Sequence, residues 1–287
     1  MSARAAPWIP NRWIVRAWSV LLNAVLAFFI ANVGLLVLAV AVNSVARRWL
    51  GTWLPEGWTT DWYTSAWSEF QLGSVLTVTF EVVFLVVAIS IALGVPAAYA
   101  LARRDFRGKR AVMLLFLLPL MVPPMTYGIP LAATMYKIGL AGTSAGVVVA
   151  NLIPTVPFVV LVMTPFIEQI DPNLEAAARV FGAGTWRVFI HVLVPLLAPG
   201  MLAAALLVLV RTMAMFELTF LVAGAGSQTL VVALYYAVFA AGVRAPQSVD
   251  AMAMIYMILS LAWLGVALRF VNPTQLVSRV KETSKSS

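Results

Sequence analysis

The chain has 287 residues, of which 62% are hydrophobic and 10% are charged, and its formal net charge is +8. A soluble domain carries roughly 45–50% apolar and about 25% charged residues, so this is the composition of an integral membrane protein. It leaves no room for a soluble catalytic domain, and the absence of cysteine excludes disulfides, cysteine-ligated metals and thiol catalysis. A histidine metal site or a Ser–His nucleophile would have to use His191, the only histidine.

Six apolar segments are long enough to cross a bilayer, which takes about 20 residues in a helix. They cover roughly residues 18–45, 73–102, 111–135, 144–168, 195–223 and 249–270. We predict an all-α membrane protein of six spans, with an N-terminal segment 1–17, a transmembrane domain 18–271 and a tail 272–287. The first segment could instead be a signal peptide, but its apolar run exceeds the roughly 7–15 residues usual there, which favours an uncleaved span.

Basic residues predict the orientation of these spans. Most of the 19 Lys and Arg residues precede span 1, follow span 6, or lie between spans 2 and 3 or spans 4 and 5. The opposite side carries only Arg47, Arg48, Lys137 and Arg244. Basic loops mark the cytoplasmic side of a membrane, so both termini and the segment 171–200 are expected in the cytoplasm. No nucleic-acid partner is needed to explain the net charge.

Prolines interrupt two of the predicted spans. The stretch "LPLMVPPMTYGIP", which includes Tyr127, lies in span 3, and further prolines lie in span 4. An interior proline removes a helical hydrogen bond, and the freed carbonyl is tolerated at membrane depth only inside protein or facing water. We therefore expect Tyr127 and its surroundings to line a pathway or an internal interface.

Charged residues also fall inside the predicted spans, namely Glu81, Arg211 and Glu217. A charge at the centre of a span costs about 2.5–3.5 kcal/mol, so such residues usually face protein or a water-filled cavity. Arg211 and Glu217 point to different faces of one helix, which favours pairing of Arg211 with Glu81 across helices. A structural ion pair and a lining for a polar solute both explain these charges. Met215 and Phe216 suit a gating surface and plain helix packing equally.

Residues 171–200 contain the signals for two short helices. Asp171 can cap a helix with Pro172 at its first position, and the helix is expected over residues 173–181. Gly182 suits the left-handed conformation that ends a helix. Thr185 is then expected to cap a second helix beginning at Trp186. The segment is predicted to form a hairpin of two helices on the cytoplasmic face.

The first helix of this hairpin offers a small surface with polar edges. Ala176, Ala177 and Ala178 let another surface approach the backbone closely, while Glu175 and Arg179 share one face because they are four residues apart. A loop without a partner needs none of these features. The pattern predicts that another protein docks here.

At these residues the chain resembles the permease subunits of binding-protein-dependent ABC importers. Their cytoplasmic signature reads Glu-Ala-Ala, three residues, Gly, nine residues, then Ile-x-Leu-Pro. Ala177 and Ala178 occupy the two alanine positions, and Gly182 is followed after nine residues by "VLVP", which ends at Pro195. The resemblance covers roughly residues 70–271.

The chain departs from the signature at one position. Ala176 stands where the family has its glutamate, and Glu175 lies one residue earlier. Either Glu175 substitutes from the neighbouring position, or the chain docks without that carboxylate.

The resemblance implies a mechanism in which the hairpin, residues 171–195, docks into a groove on a separate ATPase subunit. It implies two ATPase subunits, a second permease chain, identical or different, an external solute-binding protein, and a location in the bacterial cytoplasmic membrane. ATP and Mg would be bound by the ATPases; this chain lacks the Gly-rich phosphate loop and is expected to bind no cofactor and to be no enzyme. The coupling residues would be Glu175, Ala176, Ala177, Ala178, Arg179, Gly182 and Pro195. The substrate pathway would include Glu81, Tyr127, Arg211, Met215, Phe216 and Glu217.

The substrate is less strongly indicated. The stretches "LPEGWTTDWY" and "FLVAGAGSQTLVVALYYAV" look most like the branch of the family that carries polyamines, opine-like compounds, phosphonates and ferric iron. A small charged organic solute resembling a polyamine is the preferred expectation, with sugar, phosphonate or iron as alternatives. An ion-driven secondary transporter would explain the buried charges but not the cytoplasmic signature, and an intramembrane enzyme would have few catalytic groups.

Overall fold

The computed structural model describes residues 12–49, 52–239 and 244–270, and its regular elements are helices. In chain order these are α1 (Arg12–Val45), α2 (Asp61–Glu69), α3 (Leu72–Arg103), α4 (Lys109–Met121), α5 (Pro124–Lys137), α6 (Ser144–Glu168), α7 (Pro172–Val180), α8 (Thr185–Val188), α9 (Val194–Met213), α10 (Glu217–Val222), α11 (Leu230–Phe239) and α12 (Pro246–Phe270). A π-helix, Phe189–Leu193, joins α8 to α9. Five helical segments are long and apolar enough to cross a membrane, or six if α4 and α5 form one bent span. The all-α, multi-span fold is thereby confirmed, whereas the predicted tail 272–287 lies outside the described residues.

The predicted span 111–135 is wrong as a single helix. It divides into α4 and α5, whose axes are bent by 97°. Val122 adopts an extended conformation (φ −85°, ψ 133°), and Pro123 and Pro124 follow it without backbone N–H groups. Two adjacent prolines remove two helical hydrogen bonds and disfavour helical geometry in the preceding residue, so the chain turns here.

The predicted span 195–223 also ends too late. Helix α9 stops at Met213, residues 214–216 form no helix, and Glu217 starts the separate helix α10. Glu217 is therefore not a residue of the same helix as Arg211, contrary to the prediction. The break is compensated by tertiary contacts, because the Asn151 amide of α6 donates a hydrogen bond to the Thr219 hydroxyl of α10 at 3.1 Å.

The chain forms two compact units, Met1–Thr64 with Arg244–Met254 and Ser65–Val243 with Ile255–Ser287. In the first unit, the Ser44 and Tyr63 hydroxyls lie 3.0 Å apart, and the Trp62 indole donates to the Ala46 carbonyl at 2.8 Å. Every residue of α1 from Arg16 to Ala39 is exposed, and burial begins only towards the C-terminal end of the helix, at Ser44. An apolar helix exposed on every side belongs in lipid or against another protein.

The second unit has its main core between α3, α6 and α9. Buried Val, Leu, Met and Ile side chains from these helices form one cluster, and the buried hydroxyls of Ser90 and Thr155 lie 2.9 Å apart within it. Gly94 lets α3 approach α6 so closely that an added Cβ would lie 2.6 Å from Val159 Cγ1. This tight contact fixes the C-terminal half of α3, which carries residues of the candidate site.

A second, smaller cluster joins α5, α6 and α10. Its buried members are Ala132, Met135, Ala150, Leu218 and Val222, with Tyr127 packed against them. The Gly142 N–H also donates to the Val222 carbonyl at 2.8 Å. The two helical segments that follow the breaks, α5 and α10, therefore pack against each other.

Candidate functional site

Helix α7 has the caps that its sequence indicates. The Asp171 carboxylate accepts a hydrogen bond from the Asn173 N–H at 2.9 Å, and Pro172 occupies the first turn. Gly182 adopts a φ of 84°, and the Ala183 N–H donates to the Ala178 carbonyl at 3.1 Å. This is the left-handed helix ending for which glycine is preferred, so the expected end of the first hairpin helix is confirmed.

The second hairpin helix differs in its start. Helix α8 begins at Thr185 rather than Trp186, and Gly184 takes the capping position without any side-chain hydrogen bond. Gly184 is extended (φ −69°, ψ 164°), which already turns the chain into the helix, so the Thr185 cap is wrong. The π-helix then leads directly into α9, where Pro195 lies in the first turn and is exposed.

Glu175 points into the protein, although it stands on a short, mostly exposed helix. Glu175 as a whole is only 3% exposed. The carboxylate accepts hydrogen bonds from Arg103 Nε at 2.7 Å and from the Tyr99 hydroxyl at 2.8 Å. Arg179, four residues along α7, approaches it at 3.4 Å, which confirms that the two share a face. We call Tyr99, Arg103, Glu175 and Arg179 the Glu175 cluster.

The Glu175 cluster joins the hairpin to the end of α3. Arg103 is the last residue of α3, and its Nη2 donates to the Ile170 carbonyl just before α7 at 2.6 Å. The Arg103 side chain is 13% exposed, so both charges of the pair are largely removed from water. Breaking one partner of such a pair is strongly destabilising, because the other charge stays buried without compensation. The position of α7 therefore depends on α3.

Tyr99 and Arg103 were not predicted from the sequence as members of this site. They are four residues apart and so share a face of α3, which is a usable signal. Their partner, however, lies 72 residues further along the chain from Arg103, and nothing in the local pattern connects them.

The hairpin also exposes apolar side chains. Val180 is 84%, Phe181 90% and Trp186 70% exposed, and Ala176 and Ala177 are exposed beside them. Contiguous apolar side chains rimmed by polar residues mark a surface that another molecule covers. Because the Glu175 carboxylate faces the interior of the chain, the exposed surface of the hairpin includes alanines, Arg179 and these larger apolar groups.

The candidate pathway residues divide into two groups. Glu81 is exposed and forms no ion pair with Arg211, so the predicted pairing between them is not present among the described residues. Arg211 instead has its guanidinium carbon 5.2 Å from the centre of the Phe158 ring, and its buried Nε has no hydrogen-bond partner. The predicted pairing fails because Glu81 points away from the packed core of the helices.

The other pathway residues surround the break between α9 and α10. Met215 is buried, and Phe216 packs its ring against Phe220 and Tyr235, with centroids 5.1 and 5.0 Å apart. The Tyr127 hydroxyl on α5 is buried without a hydrogen-bond partner. It lies within electrostatic reach of both Arg211 and Glu217. Tyr127 packs against the buried residues of α10, the helix that Glu217 begins, and Arg211 lies six residues before Glu217, near the end of α9.

Metal binding has no support from the geometry. The described residues contain no group of three or more His, Asp or Glu able to hold a metal ion. The expectation that the chain binds no cofactor stays a prediction.

Comparison with known proteins places this architecture. Residues 90–276 match the model of the family described as binding-protein-dependent transport system inner membrane component. The chain is 30% identical over 193 residues to the trehalose transport system permease protein of Mycobacterium tuberculosis, covering 67% of this chain and 70% of that one. It is 33% identical over 162 residues to a molybdenum transport system permease protein of Haemophilus influenzae, covering 51% and 71%.

Two further relatives extend the comparison. The diacetylchitobiose uptake system permease protein of Streptomyces coelicolor is 30% identical over 153 residues, which is 53% of this chain and about half, 51%, of that relative's length. Among solved structures, a bacterial ABC transporter involved in the import of the acidic polysaccharide alginate matches with a TM-score of 0.75 at 18% identity, over 93% of this chain and 100% of that one. At this identity the match shows the fold alone. The chain therefore belongs to the binding-protein-dependent inner-membrane transport components, the permease subunits of ABC importers.

Proposed function

We propose that this permease subunit forms half of a solute pathway and is coupled to an ATPase through residues 171–195. The observation that carries the proposal is the two-sided arrangement of α7. Its inward face is fixed to α3 by Glu175, and its outward face exposes alanines and apolar side chains that no part of the described chain covers. A docked ATPase would cover this surface, and its movement would be transmitted to α3 and α9.

The same contacts support a cytoplasmic position for the hairpin. Because Arg103 at the end of α3 bonds Glu175, the hairpin lies at the same end of α3 as the basic loop that follows it, residues 103–110. Basic loops stay in the cytoplasm, so the hairpin would face the cytoplasmic ATPase. The complete importer would contain two ATPase subunits, which bind ATP and Mg, a second permease and an external solute-binding protein.

The comparisons change the substrate that we propose. The relatives reported above are named for trehalose, diacetylchitobiose and molybdenum, and they give the polyamine preference no support. We therefore propose a sugar or an oxyanion as the transported solute; the sugar was among the alternatives considered from the sequence, and the oxyanion follows from the molybdenum permease.

Cysteine crosslinking tests the docking proposal directly, because the natural chain contains no cysteine. Ala177→Cys and Arg179→Cys, both at exposed positions, are expected to crosslink to a cysteine placed in the groove of the ATPase subunit. Ala133→Cys is the matched control, since Ala133 is equally exposed but lies on α5. Equal crosslinking of Ala133→Cys and Ala177→Cys, or none at either hairpin position in a complex that co-purifies, would refute the proposal.

A further inference from the structure

Arg211 carries a charge that the described part of the chain does not neutralise. It lies near the end of α9, its Nε is buried without an acceptor, and none of the ion pairs found includes it. The Phe158 ring supplies a cation–π contact at 5.2 Å. Such a contact contributes about 0.5–2 kcal/mol, but it leaves the five N–H donors of the guanidinium largely without acceptors.

The depth of Arg211 makes this lack of a partner costly. Its guanidinium lies over Phe158, which is about 21 Å along α6 from Ser144 and about 15 Å from Glu168, at a rise of 1.5 Å per residue. This is near the middle of a span, too far from either end for the side chain to reach water or lipid headgroups directly. Arginine at this depth faces protein or a water-filled cavity and marks a functional site by default.

One helix break begins three residues after Arg211, and a second precedes the helix that packs on α10. Residues 214–216 separate α9 from α10, and α10 is held at membrane depth by the hydrogen bond between Asn151 and Thr219. The second break separates α4 from α5, which packs on α10. Backbone that leaves helical geometry at this depth is tolerated where it is buried in protein or lines an aqueous cavity, and transporters build their solute sites at such interrupted helices.

Tyr127 supplies a second polar group without a partner at this place. It lies in the first turn of α5, just after the break, and packs against the cluster that contains Leu218 and Val222 of α10. Its hydroxyl is buried without a hydrogen bond and lies within electrostatic reach of Arg211. The buried Tyr127 hydroxyl and the Arg211 guanidinium, of which Nε is buried, both lack hydrogen-bond partners among the described residues, so both are satisfied by a ligand that accepts hydrogen bonds.

We propose that Arg211 and Tyr127 form a mid-span binding site for an anionic group, a carboxylate or an oxyanion, of the transported solute. This inference rests on the proposed import function and narrows its substrate class to solutes that carry negative charge. The planar guanidinium donates two parallel hydrogen bonds to a carboxylate or oxyanion, and the Tyr127 hydroxyl donates a third. Glu217 forms no ion pair with Arg211, and its negative charge near Tyr127 weakens retention of the anion, which a site in a transport pathway requires.

The same acceptor chemistry has a second source, because a carboxylate of the second permease subunit could pair with Arg211. The test therefore uses the purified complex of both permeases with the ATPases, without the solute-binding protein, so that the permease chains alone bind the probe. The probes are molybdate and glucuronate, with trehalose as the neutral control and sodium chloride added to equal ionic strength. The measurement is the shift of the melting temperature caused by each probe, since a ligand bound only by the folded complex raises it.

Molybdate, glucuronate or both are expected to raise the melting temperature by a few degrees, and trehalose is not. The shift should be lost in Arg211→Gln and reduced in Tyr127→Phe, whereas Arg211→Lys should keep part of it. Arg110→Gln, at an exposed position, is the matched control and should keep the full shift. Glu217→Gln should increase it.

Three results would overturn the proposal. If an anion still raised the melting temperature of Arg211→Gln, the anion would bind elsewhere. If no anion raised the melting temperature of the wild-type complex, the permeases would not contain the proposed site. Failure of Arg211→Gln to assemble, restored by Arg211→Lys in the absence of any anion shift, would assign Arg211 to a carboxylate of the second permease. The melting assay requires no ATP hydrolysis. If the proposed docking of the ATPase were wrong, the Ala177→Cys crosslinking would therefore fail, while the result of the melting assay would not change.

Discussion

Replacing Glu175 by glutamine removes one charge from the link between α7 and α3 while keeping the shape of the side chain. The amide oxygen can still accept from Arg103 Nε, now 2.7 Å from the carboxylate, and the amide nitrogen can donate to the Tyr99 hydroxyl. A hydrogen bond to a charged group contributes about 1.5–3 kcal/mol, and a neutral one about 0.5–1.5. We expect Glu175→Gln to destabilise the permease by about 1–2 kcal/mol.

Glu175→Ala is a stronger perturbation of the same link. It leaves Arg103, whose side chain is 13% exposed, without its counter-charge, and removing one partner of a buried ion pair costs about 3–5 kcal/mol. The two substitutions should therefore form a graded series. Because α7 would no longer be held to α3, solute taken up per ATP hydrolysed should fall in the same order.

A double-mutant cycle with Arg103→Gln separates this link from general damage. Unfolding of the purified permease in denaturant gives the stability of each variant, and reconstituted vesicles give the uptake per ATP. The coupling energy between positions 103 and 175 should be at least about 1 kcal/mol. Glu168→Gln, an exposed carboxylate at the end of α6, is the control and should change stability by less than about 0.5 kcal/mol. Additive effects within about 0.3–0.5 kcal/mol, with unchanged uptake per ATP, would refute the link.

Two glycines allow further tests, each with a matched glycine as control. Gly182→Val should strain the hairpin turn by about 1–2 kcal/mol or more, because φ is 84°, and should lower uptake per ATP although open space surrounds it. Gly184→Val, with equal space but a φ of −69°, should leave uptake per ATP unchanged; similar effects of the two would contradict the strain argument. Gly94→Ala should lower the melting temperature through overpacking of about 1–3 kcal/mol against Val159, and Val159→Ala should restore part of it. Gly265→Ala meets no neighbouring atom and should not lower it, so an equal loss at both positions would contradict the close packing.

Local signals predicted the hairpin well. Asp171, Pro172 and Gly182 each act through their own backbone neighbours, so their roles follow from residue type and spacing. The six apolar segments were found for the same reason, since a span requires only length and composition. The prediction that Thr185 caps the second hairpin helix was wrong, because a preceding glycine in extended conformation can start a helix without a side-chain cap.

Features that depend on tertiary contacts could not be predicted from the sequence. The prolines at 123 and 124 indicated a kink, but the 97° bend depends on the packing of α5 against α10. No proline or glycine marks the end of α9 at Met213, and α10 is held by a contact from Asn151 in another helix. The engagement of Glu175 by Arg103 is of the same kind, because the two residues meet only once α3 and the hairpin are in place.

The π-helix Phe189–Leu193 holds one additional residue between the hairpin and α9 without interrupting the helix. Its closing hydrogen bond runs from the Val194 N–H to the Phe189 carbonyl, so one extra residue fits into a helix that is otherwise continuous from Thr185 to Met213. Each residue turns an α-helix by about 100°. The wider π-turn absorbs its extra residue, because the Val194 N–H would still meet the Phe189 carbonyl, then four residues away, if one residue between them were removed. A one-residue deletion inside this turn should therefore keep Arg211 over Phe158, whereas a deletion elsewhere between Thr185 and Arg211 would rotate Arg211 by about 100° relative to the hairpin.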